Sequence, residues 1–321
     1  MRIRWNRAVT ASVLSMGCVT LAFMPQGAAS ASTTAARTSS VLTWSEPLPA
    51  ETPSQGPINA LSCPSKKFCA AVNYFNQVLT FNGRKWSAPV STSEELLSVS
   101  CTSAKFCVAG DGYGGVETYN GKTWSAVETV APDQQLASIS CTSTAFCVAV
   151  GGLTAITYNG TNWSAPAVID SGTNQLTAVS CASSTFCVAV DGNGQAITYN
   201  GSTWSTPSVI DSGYSLSAVS CPSAKFCAGV DDYGNAIGYN GAKWADPVRI
   251  DTSALASISC RSSTFCVSVD NDSNVIQTPG AATGTVQSID DIAPFLTAVS
   301  CPTTTFCVAM DGFADYMVGS S

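Results

Sequence analysis

Histidine is absent from all 321 residues. That absence removes Ser-His-Asp and Cys-His nucleophilic sites, imidazole general bases and His-ligated zinc from consideration. Charge is sparse, 11% of the chain, and basic residues are the scarcer sign, 14 Lys and Arg against 21 Asp and Glu. Setting aside Arg2, Arg4 and Arg7 leaves 11 against 21, an acid-rich balance that argues against a nucleic-acid partner. No apolar run after residue 31 is long enough to span a membrane, and no stretch carries a sustained helical period.

The first residues supply a compartment. Arg2, Arg4 and Arg7 precede an apolar run from Ala8 to Met24, followed by Pro25 and Ala29-Ser30-Ala31. A charged start, a short apolar middle and a small-residue exit predict a secretory signal peptide over 1–31. Gly17-Cys18 invites a lipoprotein reading, but Ser15 occupies the position three before it and the apolar run continues past it. Ser32 to Ser40 reads as a Ser/Thr/Ala-rich linker, leaving 41–321 as a single folded domain.

That domain repeats itself. One copy reads Leu176-Thr-Ala-Val-Ser-Cys181, Phe186-Cys187-Val-Ala-Val-Asp191-Gly-Asn-Gly, Ala196-Ile-Thr-Tyr-Asn200-Gly-Ser-Thr-Trp204-Ser-Thr-Pro207. Its first cysteine recurs at Cys63, Cys101, Cys141, Cys181, Cys221, Cys260 and Cys301, its second six residues later at Cys69, Cys107, Cys147, Cys187, Cys227, Cys266 and Cys307. Four short strands per copy, at LTAVSC, FCVAV, AITYN and TWSTPSVI, are separated by a Ser/Pro-rich loop, an Asp-Gly-Asn-Gly turn and an Asn-Gly turn. Seven such copies predict an all-β, seven-bladed β-propeller of four-stranded antiparallel blades. Copy seven lacks the Trp-Ser-x-Pro strand, and Leu42-Thr43-Trp44-Ser45-Glu46-Pro47 ahead of copy one supplies it. The N-terminal strand is therefore expected to close the last blade and remove an exposed edge.

Each cysteine pair flanks a short loop between two strands, a geometry suited to one disulfide per blade in an oxidising compartment. Seven CxxxxxC metal sites are disfavoured, with two ligands per blade and no histidine to complete a shell. The Val-Ser-Cys-x5-Cys-Val-Ala-Val…Tyr-Asn-Gly-x-x-Trp-Ser unit resembles that of secreted actinobacterial repeat proteins whose copies read SCPSxxFCxAV…WNGxxWS. The resemblance covers about 41–321 and implies a propeller fold and secretion, with no activity to carry over. The Asn-Gly-x-x-Trp turn is distantly similar to Asp-box propellers such as sialidases, although the Ser-x-Asp-x-Gly-x-Thr-Trp box is absent.

Strand alternation sorts the charges. Lys66, Lys67, Lys105, Lys225 and Arg261 fall in the disulfide loops, on the same face as the Asn-Gly turns. Asp111, Asp191, Asp231, Asp270 and Asp311 fall in second-to-third turns on the other face, joined by crossover acids including Asp170, Asp211, Asp251, Asp290 and Asp291. Asp111, Asp191, Asp231 and Asp311 are therefore candidate ligand contacts, on a face that polarity would orient toward a charged surface. Trp86, Trp124, Trp163, Trp204 and Trp244 recur at one position, either as a row of sugar-stacking platforms or as wedges between blades. In copy six Thr278-Pro-Gly-Ala-Ala-Thr-Gly-Thr285 replaces that turn.

A glycoside hydrolase would need two carboxylates in dissimilar environments, whereas these acids repeat nearly identically. The arginines after residue 31 are Arg37, Arg84, Arg249 and Arg261, no three of which converge on the acidic face as sialidase chemistry requires. No cofactor is implied. Asp-Gly-Asn-Gly and Asp231-Asp232-Tyr-Gly-Asn235 present too few carboxylates for more than a weak calcium ion. The residues point to a secreted, extracellular, monomeric recognition or scaffold propeller, non-catalytic and lectin-like, binding glycan or another cell-surface polymer. A glycoside hydrolase with axial carboxylates and a disc that docks a partner protein are the alternatives.

Overall fold

The computed structural model describes residues 40–50, 56–289 and 295–321. The expected leader, the linker up to residue 39, and Asp290 and Asp291 lie outside the described residues. The described chain is all-β, with seven antiparallel sheets and no helix among the described residues. Blade 4 is representative, with strands Leu176–Ser183, Phe186–Asp191, Gln195–Tyr199 and Ser208–Val209 paired in that order. Blades 1, 2 and 3 precede it, with second strands Phe68–Asn73, Phe106–Asp111 and Phe146–Gly151. Those of blades 5, 6 and 7 are Phe226–Asp231, Phe265–Asp270 and Phe306–Asp311.

The second strands carry unbroken apolar runs because each blade is covered on both faces by its neighbours. The core accordingly lies between blades. Ile197, Leu176 and Val179 of blade 4 pack with Phe146, Val148 and Val150 of blade 3 in one buried cluster. Equivalent clusters fill the other junctions, including the one between blades 7 and 1, where Met310 and Val308 meet Ile58 and Leu79.

The innermost strand of each blade has only one partner strand, so half of its backbone donors face away from the ladder and need acceptors. A serine of the preceding blade supplies one. The hydroxyl of Ser62 accepts the Cys101 N–H at 2.9 Å, and Ser100, Ser140, Ser180, Ser220 and Ser259 repeat this toward Cys141, Cys181, Cys221, Cys260 and Cys301. Ser300 accepts from Cys63 at 3.0 Å and completes the circle. All seven disulfides form within their own hairpins, with Cα–Cα separations of 3.9–4.1 Å.

The N-terminal segment closes the last blade as expected. Thr43–Trp44 and Leu48–Pro49 both pair with Asp315–Ser320, and the Ser45 N–H donates to the Val318 carbonyl at 3.0 Å. Leu42 is 1% exposed at the junction of blades 6 and 7, its N–H held by Gln277 Oε1 at 2.9 Å.

The fourth strand departs from the continuous one expected. In blade 4 Trp204 makes a single bridge to Tyr199, and pairing resumes only at Ser208–Val209. Between them Ser205 Oγ, a side chain, accepts the Thr198 N–H at 3.0 Å, and Pro207 has no N–H to contribute.

Candidate ligand clefts at the blade junctions

Each recurrent tryptophan follows an Asn-Gly turn whose asparagine Oδ1 accepts two backbone N–H groups, as Asn120 does from Lys122 and Thr123. The turn lays the indole against the aromatic ring of its own third strand. Centroids lie 5.2 to 5.5 Å apart in Phe81–Trp86, Tyr119–Trp124, Tyr158–Trp163, Tyr199–Trp204 and Tyr239–Trp244. Trp86 is 7% exposed, enclosed by Phe81 and Tyr316, while Trp124, Trp163, Trp204 and Trp244 are half-buried. All five pack against the apolar cluster at the junction with the preceding blade. In blade 6 Ala281 packs at the junction with blade 5 instead.

Two of the five also line open clefts on the rim. Between blades 1 and 2, a cleft of about 640 Å³ is bounded by Trp124, Tyr119, Lys122 and Glu117 together with Val78, Val90 and the hydroxyl side chains Thr80, Ser87, Ser91, Thr92, Ser93, Thr123 and Ser125. Between blades 3 and 4, Trp204 lines one of about 480 Å³ with Ser171, Thr203 and Thr206. Trp44, which was not in the recurrent row, lines a third of about 430 Å³ beside Gln287 and Ser288.

Glu117 sets the first cleft apart. Its strand position is Leu79, Ile156, Ile197, Ile237, Ile276 and Met317 in the other blades, each opposite an alanine, serine or glycine of the second strand. The residue is 3% exposed. Burial pushes its carboxyl above the usual range, the like charge of Asp111 adds to this, and the Ser93 N–H opposes it.

The turn aspartates face inward. Asp111, Asp191, Asp231 and Asp311 are at most 1% exposed. Each Oδ1 accepts the N–H groups two and four residues ahead, in blade 4 from Asn193 and Gln195 at 3.0 and 2.7 Å. This capping fixes the second-to-third turn, and Asn73 does the same in blade 1. Among the described residues, no group of three or more His, Cys, Asp or Glu side chains is arranged to hold a metal ion.

At three consecutive junctions a crossover aspartate meets a turn aspartate of the next blade, in the pairs Asp170–Asp191, Asp211–Asp231 and Asp251–Asp270. Burial, then the facing carboxyl, raises Asp211 to about 7 and Asp251 to about 6. Asp191 is raised mainly by burial, against the N–H groups of Gln195 and Asn193 that lower it.

On the same face the turns carry exposed rings that sequence reading passed over. Phe313 of blade 7, Tyr74 and Phe75 of blade 1 and Tyr113 of blade 2 are 54 to 66% exposed. Further round, Tyr214 and Tyr233 stack at 4.4 Å, with Arg249 4.0 Å above Tyr233. Residues of the central channel include Asn59, Thr177, Ser217, Ser257, Thr297 and small apolar side chains, with no carboxylate among its described lining.

No protein-family model and no curated relative matches the sequence. Solved structures do match in fold. YCF48 bound to a D1 peptide is 12% identical with a TM-score of 0.68, covering 87% of this chain and 97% of that one. The WD40 β-propeller domain of Doa1 is 10% identical with a TM-score of 0.72, over the same shares of the two chains. At such identities the likeness is one of fold, and the fold is the seven-bladed β-propeller.

Proposed function

We propose that this protein is an extracellular, non-catalytic recognition propeller that binds glycan in Trp-lined clefts at its blade junctions. The observation that carries the reading is the cleft between blades 1 and 2, where Trp124 and Tyr119 accompany seven Ser and Thr side chains. An aromatic ring suits the apolar C–H face of a pyranose, and hydroxyls suit its polar rim. The Trp204 cleft repeats the pairing of indole and hydroxyls, and sites of moderate strength on one disc gain from avidity toward a polymer. Seven disulfides fit an oxidising, extracellular setting. A non-catalytic role is favoured by the turn aspartates, whose Oδ1 oxygens are occupied by backbone donors, and by a channel lining without carboxylates among its described residues.

The test is a glycan and cell-wall polymer array probed with the folded protein at low and high salt, alongside Trp124→Ala. Salt-resistant binding that is lost in the variant supports the reading. Absence of binding to every sugar would favour a second one, a protein-docking disc. That alternative rests on the exposed Phe313, Tyr74, Phe75 and Tyr113 clustered on adjacent blades, and one fold neighbour is a propeller bound to a peptide.

A further inference from the structure

Blade 2 departs from the repeat at linked positions. Gly115 stands where blades 1 and 4 have Gln77 and Gln195 and blades 5 and 6 have Asn235 and Asn274, and a Cβ there would overlap Asp111 Oδ2. Without that side chain the Asp111 carboxylate sits over the glycine, near enough to Glu117 to raise its pKa. Glu117 itself replaces an apolar core residue and lines the cleft beside Trp124. A buried carboxylate is unfavourable unless paired. Its one backbone donor is the Ser93 N–H, and the charged neighbour acting on it has the same sign. Lys122 lines the same cleft but is not among the groups acting on Glu117, which leaves the carboxylate to be paired by a cation arriving in the cleft.

We propose that the cleft between blades 1 and 2 selects a saccharide bearing a protonated amino group, received by the Glu117 carboxylate while Trp124 holds the apolar face of the ring. This rests on the glycan reading and names its ligand class. A protonated amine supplies both the opposite charge and the hydrogen-bond donors that a buried carboxylate requires. The cleft's hydroxyls take the rest of the sugar. The other rim clefts have no carboxylate at the strand position of Glu117, where Ile197 and Met317 stand; Asp170 and Glu46 line those clefts instead, so a carboxylate set into the blade core beside the cleft belongs to this junction alone among the described ones.

The experiment compares a glucosamine trimer with the same trimer N-acetylated, by titration calorimetry at moderate salt. The wild-type protein, Glu117→Gln, Glu117→Ile and Trp124→Ala are the four samples. Glu117→Ile restores the residue of four other blades and keeps the test sound should the amide disturb packing. The wild type should bind the amino trimer at least about tenfold more tightly, the size expected for one charge-assisted contact. Both Glu117 variants should lose that preference, and Trp124→Ala should lose it too while weakening both sugars to what the Trp204 cleft alone can hold. Equal binding of the two trimers that still depends on Trp124 would overturn the amine inference and leave the glycan reading intact. An amine preference that survives in both Glu117 variants would also overturn it, by assigning the attraction to the protein's general acidity. If neither trimer nor any other sugar binds, the glycan reading fails and the inference with it.

Discussion

Replacing Asp211 by Asn should flatten the dependence of stability on pH. Asp211 meets Asp231 across the junction of blades 4 and 5, with Asp232 and Tyr214 near enough to interact and Arg249 lying over Tyr233, which stacks on Tyr214. Its carboxyl moves from 3.8 to about 7 in the folded protein, chiefly through burial. Between those values the folded chain keeps a proton that the unfolded chain releases, so stability rises as pH falls through 7 and levels off below about 4. A shift of this size corresponds to roughly 4 kcal/mol at 1.36 kcal/mol per unit. The pair lies just beneath the surface, where water and salt screen it, and about half, ~2 kcal/mol, is the expected effect. For a domain of this size that is roughly 4 °C in melting temperature. An asparagine amide gives Asp231 a donor in place of a like charge, so Asp211→Asn should be more stable than wild type at about pH 7.5, with roughly a third of that gap left at about pH 5 because the window closes only below the unfolded value. Guanidinium unfolding of both proteins at the two pH values decides the matter. Parallel curves for variant and wild type, or a wild type more stable at the higher pH, would refute the reasoning.

Two further outcomes test the architecture. Leu42→Ala should cost about 3 kcal/mol by leaving a cavity where the closing strand is pinned between blades 6 and 7, read as a lower denaturant midpoint; an unchanged midpoint would mean that this segment does not fasten the ring. Ser180→Ala should cost about 2 kcal/mol by stranding the buried Cys221 N–H, and hydrogen exchange at that amide should accelerate, whereas a silent substitution would remove the serine circle as a stabilising element.

The architecture was legible because it is written seven times. Seven cysteine pairs at a spacing near 40 residues, with a Trp-Ser-x-Pro strand missing at one end and present at the other, leave little choice of topology. The serines were harder to read. In Val-Ser-Cys the hydroxyl looks like an ordinary polar alternation, and its partner lies a whole blade away in sequence, as with Ser180 and Cys221. The aspartates read as surface acids because turns favour them, yet each turns its oxygen onto its own backbone and is buried. Glu117 was visible in principle, since aligning the copies sets it against a column of Leu, Ile and Met. A lone polar residue in a third strand attracts no notice until the structure places it in one cleft with Trp124.

A row of blades with free ends would need its outermost members to differ from the rest, because an uncovered apolar flank must be made polar. Here Thr43–Trp44 joins Asp315–Ser320, and every blade has a neighbour on both sides. No blade is obliged to specialise for stability, and loosening one junction leaves its two neighbours still gripped from beyond. Such a ring can let a single seam drift in sequence without unravelling. Blade 6 has exchanged its tryptophan turn, and blade 2 has taken a carboxylate into its core; the circle tolerates both, and that tolerance is what allows a seam to acquire a ligand.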